Sequence, residues 1–339
     1  MKVIFWGTPK YAAESLNSII NAGHEIVAVI TQPDRKRGRG KKLTPSPVKE
    51  LALKNKIPVY TTFSIKKDEI TREKILSLSA EIYIVVAFGQ ILPKEILLKP
   101  PYGSWNSHAS LLPSWRGAAP IQWSLIKGDD CTGVCIMSME EGLDTGPVIN
   151  QEAIKINDED NLETLTNKLS YVSSKLLVKS IKEIGRTKGS DINQKLTELQ
   201  AIKQSELGNE VSYARQINKE DYLINWENNS KELYNLVRGL YPNAYTIFQG
   251  KRIKIPDIGI LITSSLDTNR ELTNITRRIS HFKEEAGTIL DINKEKGIVI
   301  RTKNGQVFIK SGQLEGKKLS DAYTLSAQAR IKIKDKLGK

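Results

Sequence analysis

Asn106 and His108 stand two residues apart, where the run Gly103–His108 gives way to Ala109-Ser110-Leu111-Leu112-Pro113. If that run is a strand, positions i and i+2 share a face, so amide and imidazole point the same way. The amide offers N–H donors, and the imidazole changes protonation near neutral pH. Such a pair suits a reaction that builds negative charge on a carbonyl oxygen while protons move between nitrogens. Farther on, Glu140-Glu141-Gly142-Leu143-Asp144-Thr145-Gly146-Pro147 forms a glycine-rich loop centred on an acid. Asp144 has two readings. It is a good turn former before Thr-Gly-Pro, or a carboxylate that faces His108 and fixes its tautomer. Between the two segments, Pro113-Ser114-Trp115-Arg116-Gly117-Ala118-Ala119-Pro120 is a stiff turn whose small residues admit a flat ligand to the backbone.

The elements that must position these groups alternate between strand and helix over residues 1–155. Apolar runs predict strands at Lys2–Trp6, Glu25–Thr31, Ile82–Ala87, Gly103–His108, Thr132–Met139 and Val148–Ile156. Amphipathic spacing predicts helices at Tyr11–Ala22, Pro47 to about Lys54, Asp68–Leu78, Pro120–Lys127 and Asn161–Ile184. This order gives an α/β fold, a Rossmann-like, mostly parallel open sheet with helices on both faces. Ligands of such sheets bind beyond the carboxyl ends of the strands, where Asn106 and His108 fall. Residues 186–206 are polar and weakly patterned and are expected to be a linker. From residue 207 onward, after a helix at Lys231–Gly239, short β-rich runs predict a smaller β-barrel domain. The division is therefore 1–185, 186–206 and 207–339.

The chain of 339 residues carries a net charge of +13. Residues 1–185 hold +4 of it and residues 186–339 hold +9. Six of the eight residues at 35–42 are cationic: Arg35, Lys36, Arg37, Arg39, Lys41 and Lys42. Charge runs are usually solvated faces, but this clustering, with two glycines that loosen the loop, favours contact with phosphate. No apolar run is long enough to span a bilayer. Two cysteines, Cys131 and Cys135, exclude a disulfide framework and fit a reducing cytoplasm. They read as small buried apolar residues, not ligands, and no cluster has metal-ligand spacing. His24 and His281 are expected on the surface. Gly7-Thr8-Pro9 lacks the later glycines of a dinucleotide fingerprint.

The run from Asn106 through Ser110-Leu111-Leu112-Pro113-Ser114-Trp115-Arg116-Gly117-Ala118-Ala119-Pro120 to Gln122, with Leu143-Asp144-Thr145-Gly146 after it, resembles the methionyl-tRNA formyltransferases. The Asn-x-His and Asp-Thr-Gly elements alone are shared by all folate-dependent formyltransferases and their hydrolase relatives. Gln32-Pro33-Asp34-Arg35 through Leu43 resembles the family's basic insertion, and Ala87-Phe88-Gly89-Gln90-Ile91-Leu92-Pro93 another of its signatures. The resemblance covers nearly all of residues 1–185 and is only general beyond about residue 210.

The resemblance implies transfer of a formyl group from 10-formyltetrahydrofolate to the α-amine of initiator methionyl-tRNA, by a monomer that needs no metal. Asn106, His108 and Asp144 become the catalytic residues. Ser110, Leu111, Leu112 and Pro113 match the folate-binding segment. Phe88, Gly89 and Ile91 become an apolar wall for the pterin, although Phe88 and Ile91 read equally as core. Arg35, Lys36, Arg37, Arg39, Lys41 and Lys42 become tRNA contacts, with Arg39 foremost, and the C-terminal domain becomes an OB-like tRNA-binding barrel. Two alternatives remain: a related formyltransferase or formyl-folate hydrolase acting on a small substrate, and an RNA-binding relative that has lost the chemistry.

Overall fold

The computed structural model describes residues 1–37, 42–261 and 284–338. Its first half runs β1 (Lys2–Gly7), α1 (Lys10–Asn21), β2 (Glu25–Thr31), β3 (Arg35–Arg37), β4 (Lys42–Thr44), α2 (Pro47–Lys54), β5 (Val59–Thr61), α3 (Glu69–Ser77), β6 (Ile82–Val86), α4 (Lys94–Leu97) and β7 (Ser104–His108). It continues with β8 (Arg116–Gly117), α5 (Pro120–Lys127), β9 (Cys131–Ser138), β10 (Val148–Lys155), α6 (Leu162–Ile184), α7 (Ile192–Glu198) and β11 (Tyr213–Ala214). The remainder is α8 (Ser230–Gly239), β12 (Tyr245–Phe248), β13 (Lys251–Ile260), β14 (Ile289–Asn293), β15 (Gly297–Arg301), β16 (Gln306–Leu314), β17 (Ser320–Asp321) and α9 (Ala322–Ala329). The chain divides into Met1–Ile121, Asp130–Asp158 and Thr164–Gln216 as one unit, and Gln122–Asp129, Glu159–Glu163 and Ile217–Lys339 as the other.

In the first unit seven strands lie in the order β10-β9-β7-β6-β1-β2-β5. β7, β6, β1, β2 and β5 are parallel, while β9 runs antiparallel to β7 and β10 antiparallel to β9. The mostly parallel open sheet is thus as the sequence predicts. β6 is buried at all five positions and β1 at five of six, which is why both read as unbroken apolar runs. Helix α1 buries Tyr11, Ala12, Ser15, Leu16 and Ile19 along one stripe. Ser46 caps α2 by accepting from the Lys49 N–H, with Pro47 at the first helical position. Chain order reverses between β1 and β6, so the crevice for a ligand opens there. Across that crevice the Phe88 carbonyl accepts from Gln32 Nε2 at 3.2 Å and Thr8 Oγ1 at 3.4 Å.

Two expectations need correction in this unit. The basic segment is more than a loop: β3 and β4 pair antiparallel, Arg35 with Thr44 and Arg37 with Lys42. A salt bridge of 2.9 Å from Lys49 to Asp34 anchors the base of this hairpin. Residues 186–206, expected as a linker, hold α7, capped by Asp191, and a short 3-10 turn at Gln204–Glu206.

The second unit is an antiparallel β domain, as expected, with strand order β12-β13-β16-β15-β14 and β17 paired to β16. Its core gathers Leu233, Val237, Phe248, Ile253, Ile298, Ile309 and Leu325 from the sheet and from α8 and α9, with Trp226 from the turn before α8. A reciprocal capping box between Asn229 and Glu232 starts α8. Strand β13 is longer than the predicted Arg252–Ile255 because register shifts between Lys254 and Ile258 let it pass Pro256 and keep pairing with β16. No helix among the described residues is long and apolar enough to cross a membrane.

Candidate active site

Asn106 and His108 lie on the last three residues of β7, next to β6 on one side and β9 on the other. The strand continues through His108, so the two side chains share a face as their spacing predicts. The Glu140–Pro147 loop brings Asp144 to that face. Asn106 Nδ2 donates to Asp144 Oδ1 at 3.3 Å, and the Gly117 N–H donates to Asp144 Oδ2 at 2.8 Å. His108 Nδ1 lies 3.7 Å from Asp144 Oδ2. The imidazole is 5% exposed and the carboxylate 14%, so their interaction is weakly screened.

The two imidazole nitrogens have different surroundings. Nε2 sits 2.9 Å from the Trp115 carbonyl oxygen. A carbonyl only accepts, so Nε2 carries the hydrogen and Nδ1 is the nitrogen left on the Asp144 side. Nδ1 faces Asp144 beyond hydrogen-bond range, a gap that such sites often close only when substrate binds. Trp115 and Asp144 both have positive φ, 60° and 51°. These left-handed turns are uncommon for residues with side chains and cost about 1 kcal/mol or more each, so the surrounding bonds must hold them.

Those bonds come partly from residues outside every motif of the sequence. Gln204 Nε2 donates to the carbonyls of Asp144 and Gly146, both at 2.8 Å. Its Oε1 accepts from Arg116 Nε at 3.0 Å and Nη2 at 2.8 Å. Strand β11 pairs with β8, while Ser212 Oγ accepts from the Trp115 N–H at 2.9 Å. No local pattern marks Gln204 or Ser212, because both reach the site by the return of the chain after α6.

The formyl transferase family model matches residues 1–181, and the formyl transferase C-terminal domain model matches residues 216–330. The chain is 58% identical over 338 residues to the methionyl-tRNA formyltransferase of Prochlorococcus marinus strain NATL2A, covering 100% of both chains. It is 47% identical to that of strain MIT 9515, covering 99% of each. The chain belongs to the methionyl-tRNA formyltransferase family. Among solved structures, the N-formyltransferase from Helicobacter canadensis is similar, with a TM-score of 0.59 at 21% identity, covering 91% of this chain and 98% of that one. That likeness shows the shared fold.

In this formyltransferase the remaining sequence-predicted residues separate by burial. Phe88 is core, packed edge-to-face on Trp6 with ring centroids 5.3 Å apart. Leu112 is core as well, and its N–H donates to Cys135 Sγ at 3.3 Å. Ser110 is buried and gives its hydroxyl to the Ser114 carbonyl at 2.6 Å. The Leu111 carbonyl accepts from the Ser114 N–H at 3.1 Å, and the Pro113 carbonyl from the Ser212 N–H at 3.3 Å. Gly89 is exposed with φ of 80°, and Ile91 is 78% exposed. A salt bridge of 2.7 Å between Lys94 and Glu141 ties the segment after Ile91 to the Asp144 loop.

Arg35, Lys36 and Lys42 are exposed on the hairpin. Of Arg37 only the backbone is described, and Arg39 and Lys41 lie outside the described residues, as does His281. Cys135 is buried as expected, but Cys131 is exposed because it opens the strand β9. Burial pushes the Cys135 thiol up to about 12. His24, expected on the surface, is half-buried, 3.3 Å from the N-terminal amine through Nδ1. Burial first, and that amine second, lower its pKa. No group of three or more metal-ligating side chains occurs among the described residues.

Proposed function

We propose that this protein transfers the formyl group of 10-formyltetrahydrofolate to the α-amine of methionine carried on initiator tRNA. The observation that carries this reading is the hydrogen-bonded meeting of Asn106, Asp144 and the Gly117 N–H beside His108 at the end of β7, in a chain of this family. In the reaction the amine nitrogen bonds to the formyl carbon, the bond from that carbon to the folate nitrogen breaks, and a proton passes from the amine to the folate nitrogen. Charge collects on the formyl oxygen midway.

Asn106 gives one Nδ2 hydrogen to Asp144, and its second is the donor for that oxygen. Loss of one such donor typically costs about 3 kcal/mol of transition-state stabilisation. His108, with Nε2 committed to Trp115, exchanges its proton at Nδ1, and Asp144 faces that nitrogen. Asp144 then accepts the proton leaving the amine, directly or through water. The Gly117 N–H and the Asn106 amide hold its two oxygens for that purpose.

The formyl donor fits the surface after β6. Exposed Ile91 offers an apolar face, and an added Cβ on Gly89 would meet only Gln32 Nε2, at 3.9 Å, so a flat ring approaches the backbone there. Phe88 backs this surface from within, and Gly89, Ile91 and Leu111 contact the ring. Arg35, Lys36, Arg37, Arg39, Lys41 and Lys42 contact the phosphates of the tRNA acceptor end, and the basic C-terminal unit adds backbone contacts.

The test is incubation with 10-formyltetrahydrofolate and charged initiator tRNA, scoring formylated amine, with free methionine and charged elongator tRNA as controls. Formylation confined to the charged initiator is expected. Release of formate without transfer would point to hydrolysis, and transfer to a small amine to a different formyltransferase.

A further inference from the structure

Neither family match covers residues 182–215, which lie between the matched segments 1–181 and 216–330. Gln204 belongs to this uncovered stretch, yet it is 4% exposed and makes four hydrogen bonds beside Asp144. A primary amide has two N–H donors and one oxygen with two lone pairs. All four are used: the donors on the Asp144 and Gly146 carbonyls, the oxygen on the Arg116 guanidinium.

Both segments joined in this way bear on the Asp144 carboxylate. One is the loop that holds Asp144 at φ 51°, a conformation that relaxes unless its carbonyls are fixed. The other carries the Gly117 N–H, which donates to Asp144 Oδ2 at 2.8 Å, and Arg116 precedes it directly. Strand β11 braces this second segment, with the Arg116 N–H on the Ser212 carbonyl at 2.9 Å and the Ala118 N–H on the Ala214 carbonyl at 2.8 Å. The chemistry specifies the side chain closely. Glutamate would bring acceptors where two carbonyls need donors, asparagine is one methylene short, and methionine fills the volume with no polar group.

We infer that Gln204 is a positioning residue for formyl transfer, clamping Asp144 to the Arg116–Gly117 segment so that its carboxylate meets Asn106 and His108. The inference rests on the reading that Asp144 serves the reaction. Such a residue acts on kcat, since small misplacements of a reacting group cost up to about 100-fold without loss of binding.

Gln204→Met and Gln204→Glu are assayed for formyl transfer with 10-formyltetrahydrofolate and charged initiator tRNA, alone and combined with Asp144→Asn, alongside thermal unfolding. The expected result is a fall in kcat of roughly 10- to 100-fold for both variants, on the scale of such misplacement. Their KM values are expected to stay within about twofold for either substrate, because neither change touches a group that binds substrate. In the double variants the Gln204 change adds little to the Asp144→Asn loss, since both act through one carboxylate. Unchanged kcat in either folded variant, or losses that multiply in the double variants, would overturn it. Gln204→Glu keeps the Arg116 interaction and so tests the clamp even if Gln204→Met fails to fold. A wild-type protein active in transfer, with Asp144→Asn fully active, would sink the underlying reading instead.

Discussion

His108 Nε2 donates to the Trp115 carbonyl at 2.9 Å, which turns Nδ1 toward Asp144 Oδ2 at 3.7 Å. A backbone carbonyl thus decides which nitrogen of the imidazole is left facing the carboxylate. The carboxylate it faces is itself fixed from both sides, Oδ1 by Asn106 and Oδ2 by Gly117.

Asp144→Asn tests that arrangement at constant volume. Both carboxylate oxygens accept hydrogen bonds, whereas an asparagine has one acceptor and would turn its NH2 toward a donor. The expected outcome is a fall in kcat of about 100-fold or more, since the proton acceptor is also lost. A stability loss of about 1–3 kcal/mol accompanies it, from the donor left without a partner. Steady-state kinetics and urea unfolding check both, and wild-type kcat would remove Asp144 from the mechanism.

Gly117→Ala probes the other side of the same bond. Gly117 has φ of 120°, and an added Cβ would lie 2.7 Å from the Ala214 carbonyl oxygen. Side chains strain at this backbone conformation, and the neighbour is backbone that cannot swing aside. β8 must therefore part from β11 and carry the Gly117 N–H away from Asp144. A cost of about 1–3 kcal/mol is expected, together with a fall in kcat at nearly constant KM. Wild-type stability and kcat in the alanine variant would show that the pairing of β8 and β11 does not set the site.

The parts of this site that could be read from sequence are those built locally. Asn106 and His108 are two apart on a strand, and Asp144 sits in a loop whose glycines announce a turn, so each was visible in its own segment. Gln204 was not, because a lone glutamine in a polar stretch gains meaning only where the chain returns. Phe88 and Ile91 show a second limit: an apolar residue beside a crevice reads equally as wall or core, and packing on Trp6 decides for core at Phe88 while Ile91 is exposed. The hairpin of β3 and β4 was hidden because its residues are charged and give no apolar alternation. Helix α9 escaped for a related reason, with small and polar residues over most of its length and only Ala322, Leu325 and Ser326 buried.

The hairpin cations yield a prediction about salt. Replacing Arg35, Lys36 and Lys42 by glutamine removes exposed charge from the hairpin strands, and a second variant replaces Arg39 and Lys41. For every cation that pairs with a phosphate, its removal should flatten the plot of log affinity for charged tRNA against log salt by about one unit. The KM for 10-formyltetrahydrofolate should stay constant. Filter binding across a salt series and kinetics with each substrate varied check this, and equal weakening toward both substrates would argue against a tRNA role.

Three buried acids predict how stability responds to alkali. Burial pushes the Cys135 thiol and the Tyr11 and Tyr83 phenols each up to about 12. In the unfolded chain a thiol ionises near 8.5 and a phenol near 10. Between those values and about 12 the folded protein keeps protons that the unfolded chain has released, so stability falls as pH rises. The contribution is complete below about pH 8.5 and is lost progressively above it. The melting temperature should accordingly hold level from neutral pH to about 8.5 and then decline. Tyrosinate absorbance should leave at least two of the eleven tyrosines silent until the protein unfolds. At pH 8 an aromatic disulfide reagent should label exposed Cys131 in the folded protein and reach Cys135 only in denaturant. Rapid labelling of both thiols in the native state, with a level melting temperature through pH 11, would show that these groups are more open than their burial in the sheet and α1 implies.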